Sequence, residues 1–580
     1  MRKIVSRLFK IVPLIVAVGL ISMPRGLAPS QAQGGGGVII EGNFGGDPKN
    51  LNPIIGNDSA SNEVYQFLFP SLNGVDPKTT DIVPNAPGGL AAGWKISDDG
   101  KTYTVTLRDG LKWSDGQPIT AKDVEFSWNA IINPAVGSPY TYIYTKNGGT
   151  IDSMKALDDK TVEVKFSAVD CRALGNMGIR VVPAHLFKAD ASDMANSPFN
   201  TNPNVTWGPF QFKEYVPSER VTLVASPDYP DALSPDHKVK PDGWIYKAVA
   251  DQTVLYQQFV AGETNFINGP TVSRRAELKK MTDKITVYDF PGNSWDYLGW
   301  NLADPKNPQP AVDKNGKPID QGHHPLFGDV AVRQALAKAV DVDAIIKTAV
   351  FGEGIRMPSA FIPASWAFDK TLPLIKFDPV EAGKELDAAG FPMGPDGKVR
   401  VAKGAKYAKD GTPFKFTLLT NKGNSRRGAI VTIIQSQLKD IGVQVDLQIL
   451  DFNTLLETMF HETFDAYVLG WLQSFPDDPD LTQILTGATD IISSANSDAG
   501  SYNNPQVNDL VKKALTVPGC KREDRAAIYK QIGKIVQDDQ PYLFLFAVNG
   551  EYAAQKTVQG FDPLPSQPYW NIDTWTVKAK

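Results

Sequence analysis

The sequence predicts an α/β protein divided into at least two lobes, and three observations carry that expectation. The chain has 580 residues, more than a single hydrophobic core organises. A strand–helix–strand unit is legible over 414–449, and such units build parallel sheets with right-handed crossovers. Residues 102–131 read as a strand, two turns and a helix, a stretch rich in structural signals and poor in reactive side chains.

The elements follow in order. Arg2, Lys3, Arg7 and Lys10 precede the apolar run IVPLIVAVGLISM (11–23), which is too short to span a bilayer comfortably. Small residues in APSQAQ follow, so residues 1–32 read as an export signal cleaved after Ala32, and 33–37 as a glycine-rich flexible leader. A signal anchor is the alternative. No cysteine follows the apolar run, so a lipid anchor at that point is not expected.

In the 102–131 stretch, Tyr103, Val105 and Leu107 alternate with threonines, the period of a half-buried strand. RDG and SDG supply turns. Thr120 with Asp123 resembles a capping box, Val124, Trp128 and Ile131 share one helical face, and Asn133-Pro134 stops the helix. Residues 312–329 are polar, contain an Asn-Gly turn and read as a surface excursion. Residues 329–350 read as two consecutive helices, the second capped by Asp341. Asp378-Pro379 opens a short helix that Gly390 closes. FKFTLL (414–419) is a strand. Ser425 is expected to cap a helix through Asp440, with Ile430, Ile434, Leu438 and Ile441 on one stripe and Gly442 ending it. In the strand that follows, Val443, Val445, Leu447 and Ile449 face one way.

Composition excludes several functions. A net charge of −5 with no long Lys/Arg run leaves no footprint for nucleic acid. There is no nucleophile elbow, phosphate loop, zinc-protease helix or Cys-x-x-Cys motif. Of His185, His237, His323, His324 and His461, only His323 and His324 are close in sequence. They fall in the polar excursion, where they are expected to be solvated, and metal-chelating spacings are missing. Carboxylates are plentiful, so counting leaves a glycosidase-like pair open, but nothing in the sequence singles out two of them. Cys171 and Cys520 are the two cysteines. Their separation shows nothing about their approach, and the reading favours two separate thiols over a disulfide. No enzyme activity, cofactor or metal is expected.

Several segments in one order carry a resemblance: DPKNLNPI (47–54), TYTVTLRDGLKWSDGQPITAKDV (102–124), GPFQFKEYVPSERVTLVASPDY (208–229), VRQALAKAVD (332–341), FDPVEAGKELDAAGF (377–391), QLKDIGVQVDLQILDF (437–452) and GWLQSFPDDPD (470–480). The chain resembles the large solute-binding receptors of bacterial ABC importers, which carry peptides, nickel and some oligosaccharides. The resemblance covers nearly the whole mature chain. It implies the large, class II, two-lobed periplasmic binding protein fold with a hinge. Lobe one would hold 38–70, 208–289 and 540–580, lobe two 290–539, and an inserted subdomain 71–207. It also implies an extracytoplasmic monomer that closes on its ligand and delivers it to the transmembrane subunits of an importer.

The resemblance further implies candidate ligand residues. In peptide-binding members an Asp after Gly-Trp holds the ligand ammonium; aligned on Gly470-Trp471, Ser474 stands there, with Asp477 and Asp478 nearby. The arginine that meets the carboxylate in dipeptide-binding members is replaced by Asn421, beside Lys422. Trp295, Tyr297, Trp300, Trp471 and Phe475 fall in segments near the family's cleft, and each reads equally as cleft or core. Asn57, Asp58 and Ser59 align with a ligand-facing first loop or are ordinary loop residues. Phe452 and Gln473, in the matching segments, complete the candidate set. A strict dipeptide receptor is not expected. The expected function is capture of oligopeptides; the alternatives are a receptor for a neutral oligosaccharide and, in a different class, a secreted hydrolase.

Overall fold

The computed structural model describes residues 35–578 except 45, 142–143, 145–149, 228, 314–316, 474–477 and 493–497. The expected export signal, 1–32, lies outside the described residues. One 11-stranded sheet runs through both lobes. Its second-lobe half holds the strands Gln444–Leu450, Lys415–Asn421 and Ala466–Leu472; its first-lobe half holds Phe266–Asn268, Val38–Asn43, Gly243–Ala248, Arg220–Ala225 and Phe210–Val216. Two long antiparallel strands, Ile285–Trp300 and Tyr542–Gln555, join the halves.

The ladder between those two strands breaks its register between Phe290 and Ser294. Pro291 there has no N–H to donate, and a β-carbon at Gly292 would sit 2.1 Å from the Val548 carbonyl oxygen. Phe290 and Tyr552 pack into the first lobe's core, whereas Trp295 and Ala547 pack into the second's. The lobes therefore meet at a two-strand crossing. Leu543, Leu545, Phe546 and Val548 share a core with Leu298, Phe416 and Leu418.

The inserted subdomain packs directly onto the first lobe. Its four-stranded sheet and the Ala121–Ile132 helix share one continuous core with the first lobe, in which Trp128 and Trp244 both take part. The strand Thr102–Leu107 buries Tyr103, Val105 and Leu107. Val124, Trp128 and Ile131 are buried together. Asp123 accepts the Thr120 N–H at 2.8 Å with one oxygen and the Ala184 N–H at 3.0 Å with the other. It thus fixes the helix start and ties it to the next segment.

In the second lobe Lys415–Asn421, Ser425–Asp440 and Gln444–Leu450 form the expected parallel unit. The cap is Asn424 rather than Ser425: its Oδ1 accepts the Arg427 N–H at 3.0 Å. Ile430, Ile434 and Leu438 are buried, and Gly442 ends the helix at φ 82°. Gln444–Leu450 is the outermost strand, and its Ile449 is 55% exposed. Asp341 caps Val342–Ala349 by accepting the Ala344 N–H, and Asp378 caps Pro379–Ala388 by accepting the Glu381 N–H.

Two expectations are corrected. Cys171 and Cys520 form a disulfide with Cα atoms 5.2 Å apart, despite a separation of 349 residues; folding brings the 517–521 connection of lobe two against the insert. His324 is not solvated. It is buried, stacks on Phe327, and its Nδ1 accepts the Leu326 and Phe327 N–H groups. The proton then belongs on Nε2, which lies 3.1 Å from Asp465. His323 stacks on Tyr407. The Asn-Gly turn of that excursion lies outside the described residues.

Candidate functional site

A cavity of about 720 Å³ opens in the first lobe between the Ser59–Tyr65 helix, the insert and residues 566–573. The sequence builds its walls locally. Asp58 caps the helix: one carboxylate oxygen accepts the Ser61 N–H at 2.9 Å and the other the Ser61 hydroxyl at 2.6 Å. The capped helix then sets Asn62, Glu63, Tyr65 and Gln66 along the cavity. Tyr140 donates its hydroxyl to the Gly56 carbonyl at 2.8 Å and lies 3.0 Å from the Tyr65 hydroxyl, so insert and helix are locked together at the wall.

Arg180 is the cation of this lining. Among the described residues its one hydrogen bond runs from Nη1 to the Phe69 carbonyl at 2.7 Å, leaving most of its five donors for another partner. Burial presses the guanidinium below its ordinary range, and Tyr65, Tyr140, Tyr144 and Tyr229 around it act in the opposite sense. Elsewhere in the lining Tyr569 donates toward Glu41, 2.8 Å from both its oxygens, and contacts Glu63. Asn268 donates to Glu63 at 3.1 Å. Glu41 is fully buried; burial first, then the neighbouring Glu63 charge, push its carboxyl well up. The cavity therefore offers a guanidinium, a carboxylate, hydroxyls and amides in one space. That set is chemically suited to a charged, polar solute; among the described residues no group of three His, Cys, Asp or Glu could hold a metal.

The sequence-predicted residues divide into four groups. Asn57, Asp58 and Ser59 stand at the start of the cavity helix, Asn57 and Ser59 exposed. A second group lies at the C-terminal ends of the parallel strands of lobe two, where ligands of open α/β sheets bind. Asn421 accepts from Arg427 Nη1 at 2.9 Å, and Lys422 is exposed. Phe452 is 48% exposed, and Trp471 is half-buried. Arg426 and Arg427 converge on the buried Asp296 at 2.7 and 3.2 Å. The third group packs internally. Trp295 and Tyr297 are each 2% exposed, their rings 5.1 Å apart, and Trp300 is buried against Phe327; all three are core in this structure. Gln473 donates its N–H to the Asn293 carbonyl and its side chain to the Asp478 carbonyl. Asp478 receives two bonds from Arg525, at 2.9 and 2.8 Å, and burial, against the arginine's pull, raises its carboxyl. Ser474, Phe475 and Asp477 lie outside the described residues.

Sequence reasoning missed Arg180, Glu63, Tyr569 and the tyrosines. Two signals stood in the chain: an arginine set between apolar neighbours in GIRVVP, and the tyrosine-rich SPYTYIY.

Comparisons with known proteins agree with this architecture. A family model described as bacterial extracellular solute-binding proteins, family 5, matches residues 85–492. The oligopeptide-binding protein AppA of Bacillus subtilis is 30% identical over 555 residues, 93% of this chain and 91% of that protein. The dipeptide-binding protein of Escherichia coli is 26% identical over 554 residues, 91% of this chain and 93% of that protein. The structure of B. subtilis AppA in complex with a nonapeptide superposes with a TM-score of 0.69 at 26% identity, covering 94% of this chain and 99% of that one.

Proposed function

The chain belongs to family 5 of the bacterial extracellular solute-binding proteins, the receptors of ABC importers, and from that premise we propose that its solute is an oligopeptide whose C-terminal carboxylate is met by Arg180. The observation that carries the reading is the state of Arg180: a guanidinium lining a large cavity with a single backbone partner among the described residues. A cation so enclosed gains most from an anion that forms charge-assisted, two-point hydrogen bonds. Glu63 in the same lining supplies the opposite charge for an ammonium or for backbone N–H groups.

Closure brings the second lobe's strand ends, with Asn421, Lys422 and Trp471, over the peptide. Lobe rotation at the two-strand crossing supplies the differential contacts that shift the equilibrium toward the closed form. The closed receptor then docks on the transmembrane subunits. Ser474, Phe475 and Asp477 remain proposed contacts of the peptide, as do Asn57, Asp58, Ser59, Phe452, Gln473 and Asp478. Binding without turnover, a monomeric state and cleavage of the export signal after Ala32 belong to the same proposal.

A second reading, a neutral oligosaccharide, draws support from Tyr65, Tyr140, Tyr144 and Tyr229, because aromatic faces stack on sugars; it leaves Arg180 without an anionic partner. Calorimetry with one nonapeptide as free acid and as C-terminal amide tests the choice. The peptide reading predicts that amidation weakens binding strongly. Equal affinity for both forms contradicts it.

A further inference from the structure

The Cys171–Cys520 disulfide joins the two bodies that have to move. Cys171 follows the Thr161–Phe166 strand of the insert, and the insert shares a continuous core with lobe one. Cys520 lies between the helices Pro505–Thr516 and Arg522–Asp539, whose Val507, Val511, Ile528 and Ile532 pack into lobe two's core. The bond therefore ties lobe to lobe at a place apart from the strand crossing at 290–294 and 548–552. Polar contacts gather around it. The Cys171 N–H donates to the Leu515 carbonyl at 2.8 Å. Arg172 pairs with Asp480 of lobe two, and Arg522 with Asp81 of the insert at 2.9 Å.

Covalently, the chain from 171 runs through lobe one, crosses at 290–294, and reaches 520 through lobe two; the disulfide closes this path into a ring. A rotation of one lobe against the other about the crossing would change the separation of Cys171 and Cys520, whose Cα atoms stand 5.2 Å apart. A disulfide tolerates little more than that separation. Both cysteines are half-buried, and Pro518, Gly519 and Lys521 beside Cys520 are exposed, so a small thiol has access.

We propose that Cys171–Cys520 is a thiol-exchange site that sets how far the receptor opens. Oxidised, the strap confines the lobes and slows ligand exchange; reduced, it frees the hinge. The reactant is a dithiol. Its thiolate attacks one cysteine sulfur, the S–S bond breaks to give a mixed disulfide, and its second thiol displaces the remaining cysteine. Two electrons and two protons pass to Cys171 and Cys520, and the reagent leaves as its own disulfide. The inference rests on lobe closure as the mode of capture.

Small-angle scattering of the mature chain tests it in three forms: oxidised, reduced with dithiothreitol, and the Cys171→Ser/Cys520→Ser double variant. Each is measured without ligand and with a free-acid nonapeptide. Thiol titration establishes the redox state, and circular dichroism the fold. We expect no free thiol in the oxidised protein and a radius of gyration that the peptide leaves unchanged. The reduced and variant forms should expand without peptide and contract with it, and release labelled nonapeptide at least tenfold faster than the oxidised form. Expansion on reduction with no response to the nonapeptide supports the strap and counts against the peptide reading alone. Two free thiols in the untreated protein overturn the strap. So does equal opening of the oxidised and reduced forms. Reduced and variant forms that neither expand nor contract overturn closure and strap together. Unfolding of both overturns the gating role in favour of a structural staple.

Discussion

Arg180→Gln should cost the receptor most of its preference for a peptide carboxylate. Among the described residues the guanidinium makes one hydrogen bond, to the Phe69 carbonyl, and Tyr65, Tyr140, Tyr144 and Tyr229 act on its charge. A carboxylate placed against it gains charge-assisted bonds in a poorly solvated space. Removing one member of such a pair costs about 3 kcal/mol, on the order of a hundredfold in Kd. Glutamine keeps a donor for Phe69 but not the charge, so the loss in fold stability should stay near 1 kcal/mol. The assay is a double-mutant cycle by calorimetry: wild type and Arg180→Gln, each with one nonapeptide as free acid and as amide. If the pair exists, amidation weakens binding to the wild type and barely changes binding to the variant. Additive losses, or an amide bound as tightly as the acid by the wild type, refute the assignment.

Other outcomes follow from the same structure. Asp490 is buried against Gln321, with its carboxyl pushed up to about 6, mainly by burial. The folded state then holds a proton that the unfolded state releases, so stability falls as pH rises through about 6, by roughly 2 kcal/mol between about pH 4.5 and 8. Urea denaturation at pH 4.5 and 8 should show Asp490→Asn flattening that loss; an unchanged pH slope contradicts it. Asp123→Ala removes the bonds to the Thr120 and Ala184 N–H groups and should lower stability by about 2 kcal/mol while leaving peptide affinity alone; a large loss of affinity at unchanged stability would remove the insert from its supporting role. Gly292→Ala forces a β-carbon toward the Val548 carbonyl and should cost about 1–3 kcal/mol, read as a lowered Tm, whereas a neutral effect would mean that the crossing repacks freely.

What the sequence made legible was local. The alternation in Thr102–Leu107 gave a strand because one face, Tyr103, Val105 and Leu107, is buried in the core that the insert shares with the first lobe. Asp341 and Asp378 were readable as caps because a carboxylate three residues before a free N–H is a short-range device. Asn424 and Ser425 are both competent caps, and the turn at Gly423, φ 82°, decides for the first. The misreadings are long-range. Nothing near Cys171 announces Cys520. Nothing in two adjacent histidines tells that one will stack on Phe327 and receive two backbone N–H groups. Trp295 and Tyr297 carried equal claims to cleft and core until the partner strands were in place on both sides. Arg180 was passed over for the same reason: its tyrosines come from positions 65, 140, 144 and 229, and only the union of insert and first lobe gathers them.

If Arg180 meets a carboxylate, the solutes held by this receptor are oligopeptides with a free C-terminal end. Native mass spectrometry of freshly exported protein, followed by sequencing of whatever dissociates from it, reads this directly. We expect a distribution of bound masses that resolves into peptides of differing sequence with free C-termini, and its disappearance in Arg180→Gln. A single adduct built of hexose units, retained by that variant, would contradict it.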